Sequence, residues 1–240
     1  MIIGARTGVW AKSGGGVPTA RDYVSNVAIF DAKENAGFGV FNNSQEFWSD
    51  CLHESRVLSL VGGSPDWREL FYKLDGTRYF TTNDSVYQDL INTKVFTIEI
   101  LVRAFIGRSN GGLLCIGEQP NRNFWMWERN NSIYTTDPYI DSIQTQFGNF
   151  KRPYGAYDMW HSYVFVADGS SLSLYVDGLF FQKITMLNTT RNNQGMDIGS
   201  LRNYGKAGCG YSCLRFSDFA MTDEQRLSEY SIDKARFGIT

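Results

Sequence analysis

The sequence predicts an all-β protein, a sandwich of two antiparallel sheets with one short helix near the C-terminus. Residues 96–102 carry an apolar side chain at every second position, which is typical of a strand with one buried face. Asp168-Gly169 and Asp177-Gly178 each separate two β-prone runs, and Asp-Gly favours the tight turn of a hairpin. Such runs and turns recur at intervals of about 8–12 residues, as they do in β-sandwiches.

The helix is predicted over residues 223–235. Thr222 and Gln225 fit the capping-box pattern, in which two side chains satisfy free N–H groups at the start of a helix. Leu227 and Tyr230 give this helix only a narrow apolar face. We therefore expect it to pack at the edge of the sandwich and not within a core.

The composition argues against two classes of partner. With 240 residues and 42% hydrophobic content, the chain can bury a large core. Its formal net charge is −2 and no basic run exceeds two residues, so nucleic-acid binding is not expected. No apolar stretch approaches the roughly 20 residues that cross a membrane, so membrane insertion is not expected either.

A glycine run near the N-terminus divides the chain into two unequal parts. Residues 13–16 read Ser-Gly-Gly-Gly, a flexible break. We interpret residues 1–26 as an N-terminal arm or linker and residues 27–240 as a single domain. The arm is either a frayed end or edge strand, or a segment that docks on a partner. The first residues lack the apolar segment of a signal peptide, so we expect none in this chain.

The four cysteines do not form a disulfide framework in a chain of this length. Cys115 lies within an apolar run, and Cys209 and Cys213 are four residues apart, which fits neither a redox nor a zinc motif. We expect four reduced and mostly buried thiols, with a Cys209–Cys213 disulfide as the alternative.

Linear catalytic patterns are absent from the sequence. Glycoside hydrolases on two-sheet jelly rolls often carry E-x-D-x-x-E along one strand, and here no Glu is followed two residues later by Asp. Neither a nucleophile elbow nor a phosphate-binding glycine loop occurs. His53 and His161 are far apart in sequence. We therefore predict that the protein is not an enzyme.

The order of several short motifs resembles a known family. These are Phe30-Asp31-Ala32, Trp48-Ser49-Asp50, Leu74-Asp75-Gly76 and, most closely, Met221-Thr222-Asp223-Glu224-Gln225 followed by Tyr230 to Phe237. Together they resemble the laminin-G-like, concanavalin A-like lectin/glucanase jelly roll of bacteria and their phages. The resemblance covers residues 27–240 and implies a jelly-roll fold. That fold serves lectins, adhesion modules, hydrolases and virion decorations, so it does not assign a function.

The resemblance also bears on metal binding. Asp31, Asp75 and Asp177 could hold an oxygen-liganded cation such as calcium, although a turn explains Asp177. Arg78 stands where relatives carry an acidic residue, which argues against a metal at that position. Structural calcium remains possible, and we assign no metal ligand.

The predicted ligand-binding residues surround one aromatic strand. Trp125 and Trp127 share a strand face, and if Phe124 and Met126 point to the core, both indoles are exposed and suited to sugar rings. The alternative is that both tryptophans are packing residues. Tyr-rich polar loops bind ligands at low entropic cost. The predicted set is Trp125, Trp127, Arg129, Tyr134, Tyr154 and Tyr157.

These observations favour a non-enzymatic recognition or structural module. We expect a phage virion protein of the fibre, tail or head decoration, located on the virion or an extracellular surface. Its expected partners are host-surface glycans, other virion or cell-surface proteins, or further copies of the chain in a homo-oligomer. The alternative is a glycan-active hydrolase whose carboxylates converge from separate strands.

Overall fold

The fold is known from a computed structural model of the chain. Its described residues are 18–37, 39–53, 55–104, 111–117, 124–128, 140–145, 148–150, 159–186, 195–200 and 206–239. Over these residues the chain forms two antiparallel sheets and two α-helices, which confirms the predicted fold class.

The strands are short and distributed along the chain between 28 and 217. They are β1 (Ala28–Asp31), β2 (Phe47–Ser49), β3 (Val57–Val61), β4 (Trp67–Arg68), β5 (Phe71–Lys73), β6 (Tyr79–Thr82), β7 (Val95–Ala104), β8 (Gly111–Ile116), β9 (Phe124–Glu128), β10 (Ile140–Thr145), β11 (Gly148–Phe150), β12 (Trp160–Asp168), β13 (Ser171–Val176), β14 (Leu179–Thr185), β15 (Met196–Ile198) and β16 (Cys209–Ser217). The helices are α1 (Val86–Thr93) and α2 (Asp223–Phe237).

The two sheets interleave distant parts of the chain. Sheet A has the spatial order β14-β13-β12-β7-β16-β5-β4, and β1 pairs with β16 beside this path. Sheet B has the order β11-β10-β9-β8-β15-β6-β3-β2. Four of the seven strand pairs in sheet A and three of the seven in sheet B join strands that are not consecutive in sequence, as in a jelly roll.

The main core lies between the inner faces of the sheets. The alternating apolar residues of β7 point into it, and each is at most 1% exposed. Trp48, Trp67, Tyr72 and Phe80 form an aromatic cluster in which the paired ring centroids lie 4.6–5.7 Å apart. Such pairs add to the stabilisation from area burial, so this cluster fixes how the sheets face each other.

Helix α2 starts at the predicted cap. The Thr222 hydroxyl accepts a hydrogen bond from the Gln225 N–H, and the Gln225 side chain accepts one from the Thr222 N–H. The helix ends at Phe237, and the next residue, Gly238, caps it with a left-handed φ of 66°, which suits glycine. The predicted helix was thus correct at its start and two residues short at its end.

The expected packing of α2 was wrong. Leu227, the apolar residue expected to pack, is 48% exposed. The buried side chains are instead four charged ones and the final phenylalanine, namely Arg226, Glu229, Asp233, Arg236 and Phe237. This charged face lies against the outer face of sheet A, where it meets oppositely charged side chains, as ion pairing of buried charges requires.

Residues 18–25 also pack against the outer face of sheet A. Ala20 is fully buried, and Tyr23 donates a hydrogen bond of 2.9 Å from its hydroxyl to Asp233 of α2. The folded domain therefore includes residues that we had interpreted as arm. Residues 1–17, with the glycine run, lie outside the described residues, and the docking arm stays a prediction.

The four cysteines are buried free thiols, which excludes the alternative disulfide. Cys209 lies in the main core, whereas Cys213 lies in the cluster on the outer face of sheet A. A bulge between Tyr211 and Cys213 accompanies this switch of face, so the two thiols point to opposite sides of β16. No helix among the described residues is long and apolar enough to cross a membrane.

The cap of α2 gives a testable consequence. Replacing Thr222 by Ala removes the oxygen that accepts the Gln225 N–H, so we expect the free energy of unfolding to fall by about 1 kcal/mol. Thr222→Ser keeps the hydroxyl and should stay close to wild type. Urea unfolding measures both variants, and an equal loss in the two would contradict the role of the cap.

Candidate functional site

Strand β9 orients the predicted tryptophans. Phe124 and Met126 are fully buried in the main core, which confirms that this face of the strand points inward. Trp125 lies on the other face, but it is only 4% exposed and packs with Cys115 of β8. The prediction of an exposed indole at Trp125 was therefore wrong. A ring this buried cannot stack on a sugar.

The structure does not describe the side chains of the other predicted ligand residues. The Trp127 backbone belongs to β9, but its side chain is outside the described part of the chain. Arg129, Tyr134, Tyr154 and Tyr157 also lie outside the described residues. Their role in binding stays a prediction.

Trp125 belongs to a row of residues across the outer face of sheet B. The strand register places Thr81, Asp197, Cys115 and Trp125 side by side on four neighbouring strands. The Thr81 hydroxyl donates a hydrogen bond of 2.6 Å to Asp197, which is 1% exposed. The middle of this face is thus buried and not a free sheet surface.

A different surface is exposed at the tip of the β13–β14 hairpin. We call it the hairpin surface, and it consists of Tyr175 and Phe180 of the hairpin and Tyr230 of α2, with the buried Arg226 beneath them.

The turn of this hairpin determines which side chains reach solvent. Asp177 and Gly178 both have positive φ, 50° and 78°, as a two-residue hairpin turn requires. The Asp177 carboxylate accepts the Ser162 N–H at 2.9 Å and lies 2.8 Å from the His161 ring. Contacts to β12 therefore hold the turn in place.

Three apolar residues follow this turn, and a strand cannot bury them all on one face. Phe181 packs against the main core, whereas Phe180 is 60% exposed and Leu179 is 75% exposed. The register pairs Phe180 with Tyr175 and Leu179 with Val176, so the two exposed side chains point to opposite faces of the hairpin, and Phe180 shares its face with Tyr175.

The exposed Phe180 ring has a rigid support. Its centroid is 5.7 Å from that of Tyr175 in an edge-to-face arrangement. The Arg226 guanidinium of α2 lies 3.9 Å from the Tyr175 centroid and donates to the Gly178 carbonyl. The aromatic surface is therefore joined to the helix through a cation–π contact and a hydrogen bond.

Helix α2 also contacts the turn through a tyrosine ring. A Cβ on Gly178 would lie 2.9 Å from the Tyr230 ring, so only glycine fits there. Burial raises the pKa of Tyr175 and of Tyr230 above the ordinary value, so both phenols are neutral at physiological pH. Asp223, whose side chain is 76% exposed, adds a carboxylate beside Arg226.

The hairpin surface can bind a flat, partly apolar ligand. An exposed ring offers a face for stacking, and the neighbouring phenols and the Asp223 carboxylate can exchange hydrogen bonds with hydroxyl groups.

The three candidate calcium ligands lie in separate contacts. Asp31 pairs with Arg236 at 2.8 Å, and Asp75 pairs with Arg78 at 2.7 Å. Asp177 serves the hairpin turn described above. Arg78 stands where an acidic residue was expected from the resemblance, and its guanidinium pairs with the Asp75 carboxylate. The part of the chain that the structure describes contains no group of three or more metal-binding side chains.

Comparison with known proteins supports the fold. No family model matches the sequence, and no curated protein matches it. Among solved structures, the chain is similar to Trypanosoma rangeli sialidase in complex with sialic acid, with a TM-score of 0.63 and 13% identity over 93% of this chain and 35% of that one. It is also similar to the binding domain of botulinum neurotoxin DC in complex with SialylT, with a TM-score of 0.60 and 8% identity over 86% of this chain and 51% of that one. The chain thus spans about a third of the sialidase and half of the toxin domain.

These similarities correct one prediction. The protein was expected not to be an enzyme, but the solved structures that it resembles include sialidases. A missing linear carboxylate pattern therefore does not exclude enzymatic activity for a chain with this fold. At such low identity the likeness establishes the sandwich fold, and it does not extend to the chemistry of either protein.

Sequence reasoning missed the hairpin surface, although a signal for it was present. Leu179-Phe180-Phe181 directly follows an Asp-Gly turn. Because side chains alternate along a strand, such a run must place at least one large apolar residue outside the core.

The burial of Trp125 gives a second prediction. Replacing it by Ala would remove a packed indole, so we expect the free energy of unfolding to fall by roughly 3 kcal/mol. Phe41→Ala truncates an aromatic ring that is 41% exposed and should cost far less. Denaturant unfolding of both variants tests this, and a Trp125→Ala protein as stable as wild type would contradict the burial.

Proposed function

We propose that the protein is a carbohydrate-recognition module that binds a sugar on the hairpin surface. The observation that carries this proposal is the 60% exposed Phe180 ring, held rigid by Tyr175 and, through Tyr175, by Arg226. A rigid aromatic side chain provides contact area with little loss of conformational entropy on binding.

The surface has the mixed chemistry that sugar binding requires. The apolar face of a sugar ring can stack on Phe180, while its hydroxyl groups can reach Asp223 and the Tyr230 phenol. Arg226 is 6% exposed and engaged with Gly178 and Tyr175, so it acts as a support and is not free to bind an anionic group. The surface therefore favours contact with the ring and hydroxyls of a sugar over a charged substituent.

The similar solved structures agree with this proposal at the level of fold. The sialidase is complexed with sialic acid, and the toxin binding domain with SialylT. Both are larger than this chain, so their ligands are not transferred to it. Each of these proteins is complexed with a carbohydrate, and this supports a glycan as the partner class proposed here.

The expected setting on a virion or extracellular surface remains part of the proposal. It rests on the resemblance to phage-type domains, as does binding to other virion proteins or to further copies of the chain. A second contact area formed by Trp127, Arg129, Tyr134, Tyr154 and Tyr157 also remains a prediction.

A glycan array tests the proposal. Phe180→Ala removes the stacking ring from an exposed position, so we expect the affinity for the bound glycans to fall by roughly five- to 150-fold. This corresponds to about 1–3 kcal/mol, by analogy with the stacking of bases on aromatic side chains. Stability should hardly change, because the ring is mostly exposed.

Phe47→Ala is the matched control, because Phe47 is 40% exposed on a strand of sheet B. It should bind glycans like wild type. Turnover of each bound glycan by the wild-type protein is measured in parallel, since sialidases share the fold. Wild-type binding by Phe180→Ala would contradict the hairpin surface as the site, and a loss confined to Trp127→Ala would move the site to sheet B.

A further inference from the structure

One guanidinium on the outer face of sheet A faces three carboxylates. Arg215 of β16 lies 2.9 Å from Glu99 of β7 and 2.7 Å from Asp233 of α2. Its Nε is 3.4 Å from a carboxylate oxygen of Glu229, also on α2. The four side chains are at most 2% exposed. With every group ionised, three negative charges would face one positive charge, a net charge of −2 out of contact with water.

The neighbouring titratable groups do not compensate this charge. Tyr23 and Cys213 also face the cluster, and burial raises the pKa of both, so they are neutral at physiological pH. Arg236, the next cation on α2, is engaged with Asp31 at 2.8 Å and with Glu34 at 2.5 Å. The positive charge of Arg236 is therefore balanced by Asp31 and Glu34, and it does not compensate the carboxylates around Arg215.

The three carboxylates differ in their hydrogen bonds. Asp233 accepts the Tyr23 hydroxyl at 2.9 Å and two N–H groups of Arg215, so it is well stabilised as an anion. Within the described residues, Glu229 Oε2 is buried and accepts no hydrogen bond, and Glu99 Oε1 is buried beside the Ser25 hydroxyl, which is a neutral donor and adds no compensating charge. A buried carboxylate oxygen without a donor is costly.

A proton would remove both defects at once. Glu99 and Glu229 contact Nη2 and Nε of the same guanidinium, so a protonated carboxyl group of one can donate to the other, and the net charge falls to −1. Burial raises the pKa of Glu99, and burial together with the charge of Glu99 raises that of Glu229, although Arg215 opposes both shifts. Neighbouring carboxylates that cannot both ionise commonly share a proton.

We propose that this cluster is a proton-binding site in which the Glu99–Glu229 pair holds one proton at neutral pH while Asp233 remains the anion that pairs with Arg215. The site connects three parts of the structure, because Glu229 Oε1 also accepts the Val24 N–H at 2.5 Å. Loss of the proton would create a second repelling anion between β7 and α2. It would thereby weaken the attachment of α2 and residues 18–25 to sheet A. This inference does not depend on the proposed carbohydrate binding.

The sign of the pH effect follows from linkage. The unfolded chain releases the proton near the ordinary glutamate pKa, whereas the folded protein retains it to higher pH. Unfolding therefore releases a proton between the two pKa values. The stabilisation is complete below the unfolded value and is lost as the pH rises through the folded value. One proton changes the unfolding constant by at most about tenfold per pH unit.

Unfolding by urea from about pH 5 to about pH 9 tests the proposal through this linkage. Glu229→Gln is the informative variant, because its amide can donate to Glu99 as the protonated acid would. Glu224→Gln, at an exposed position of the same helix, is the matched control. We expect wild type and Glu224→Gln to lose stability in parallel as the pH rises, and Glu229→Gln to lose less, with a gap of up to about tenfold per pH unit. Parallel curves for all three proteins would overturn the proposal.

Infrared spectroscopy tests the proton directly and does not require Glu229→Gln to fold. The folded wild-type protein at neutral pH should show the carbonyl band of a buried protonated carboxyl group. Glu99→Gln removes the partner and should abolish that band, as should Glu229→Gln. A wild-type spectrum without the band, or a band that persists in Glu99→Gln, would overturn the proposal.

Discussion

The outer face of sheet A depends on the burial of one positive charge, that of Arg215. Burying a charge costs several kcal/mol unless close partners compensate it. Here the partners come from β7 and α2, while the Tyr23 ring of the N-terminal segment lies 4.0 Å from the guanidinium. Arg215 sits on β16, which pairs with β1, β5 and β7 near the middle of the sheet. A single side chain thus joins four segments that are distant in sequence.

This charged contact also determines the position of the hairpin surface. Because α2 buries Glu229, Asp233 and Arg236, it cannot slide or rotate without separating ion pairs. Its first turns therefore hold Arg226 on the Tyr175 ring and Tyr230 against Gly178. The rigidity of the exposed Phe180 follows from these contacts. The ion pairs that fix α2 on sheet A thus also fix the exposed aromatic surface beside the helix.

The fold could be predicted from the sequence because its signals are local. Alternation in β7, the Asp177-Gly178 turn and the Thr222 cap each depend on residues within one element. The burial of α2 could not be predicted in this way. Arg226, Glu229, Asp233 and Arg236 recur at helical spacing, but a charged face normally indicates solvent. Only the partner Arg215 on a strand, far along the chain, makes that face a buried one.

The same distinction explains the errors at the candidate site. Alternation placed Trp125 on the correct face of β9, but periodicity does not show whether that face is covered. Likewise, the search for a linear carboxylate pattern could not detect carboxylates that converge through the fold, as Glu99, Glu229 and Asp233 do. Those three are at most 2% exposed and bonded to Arg215, so a substrate cannot reach them. Catalysis by this chain would therefore require acidic groups outside this cluster, because carboxylates act on a substrate only where they can touch it.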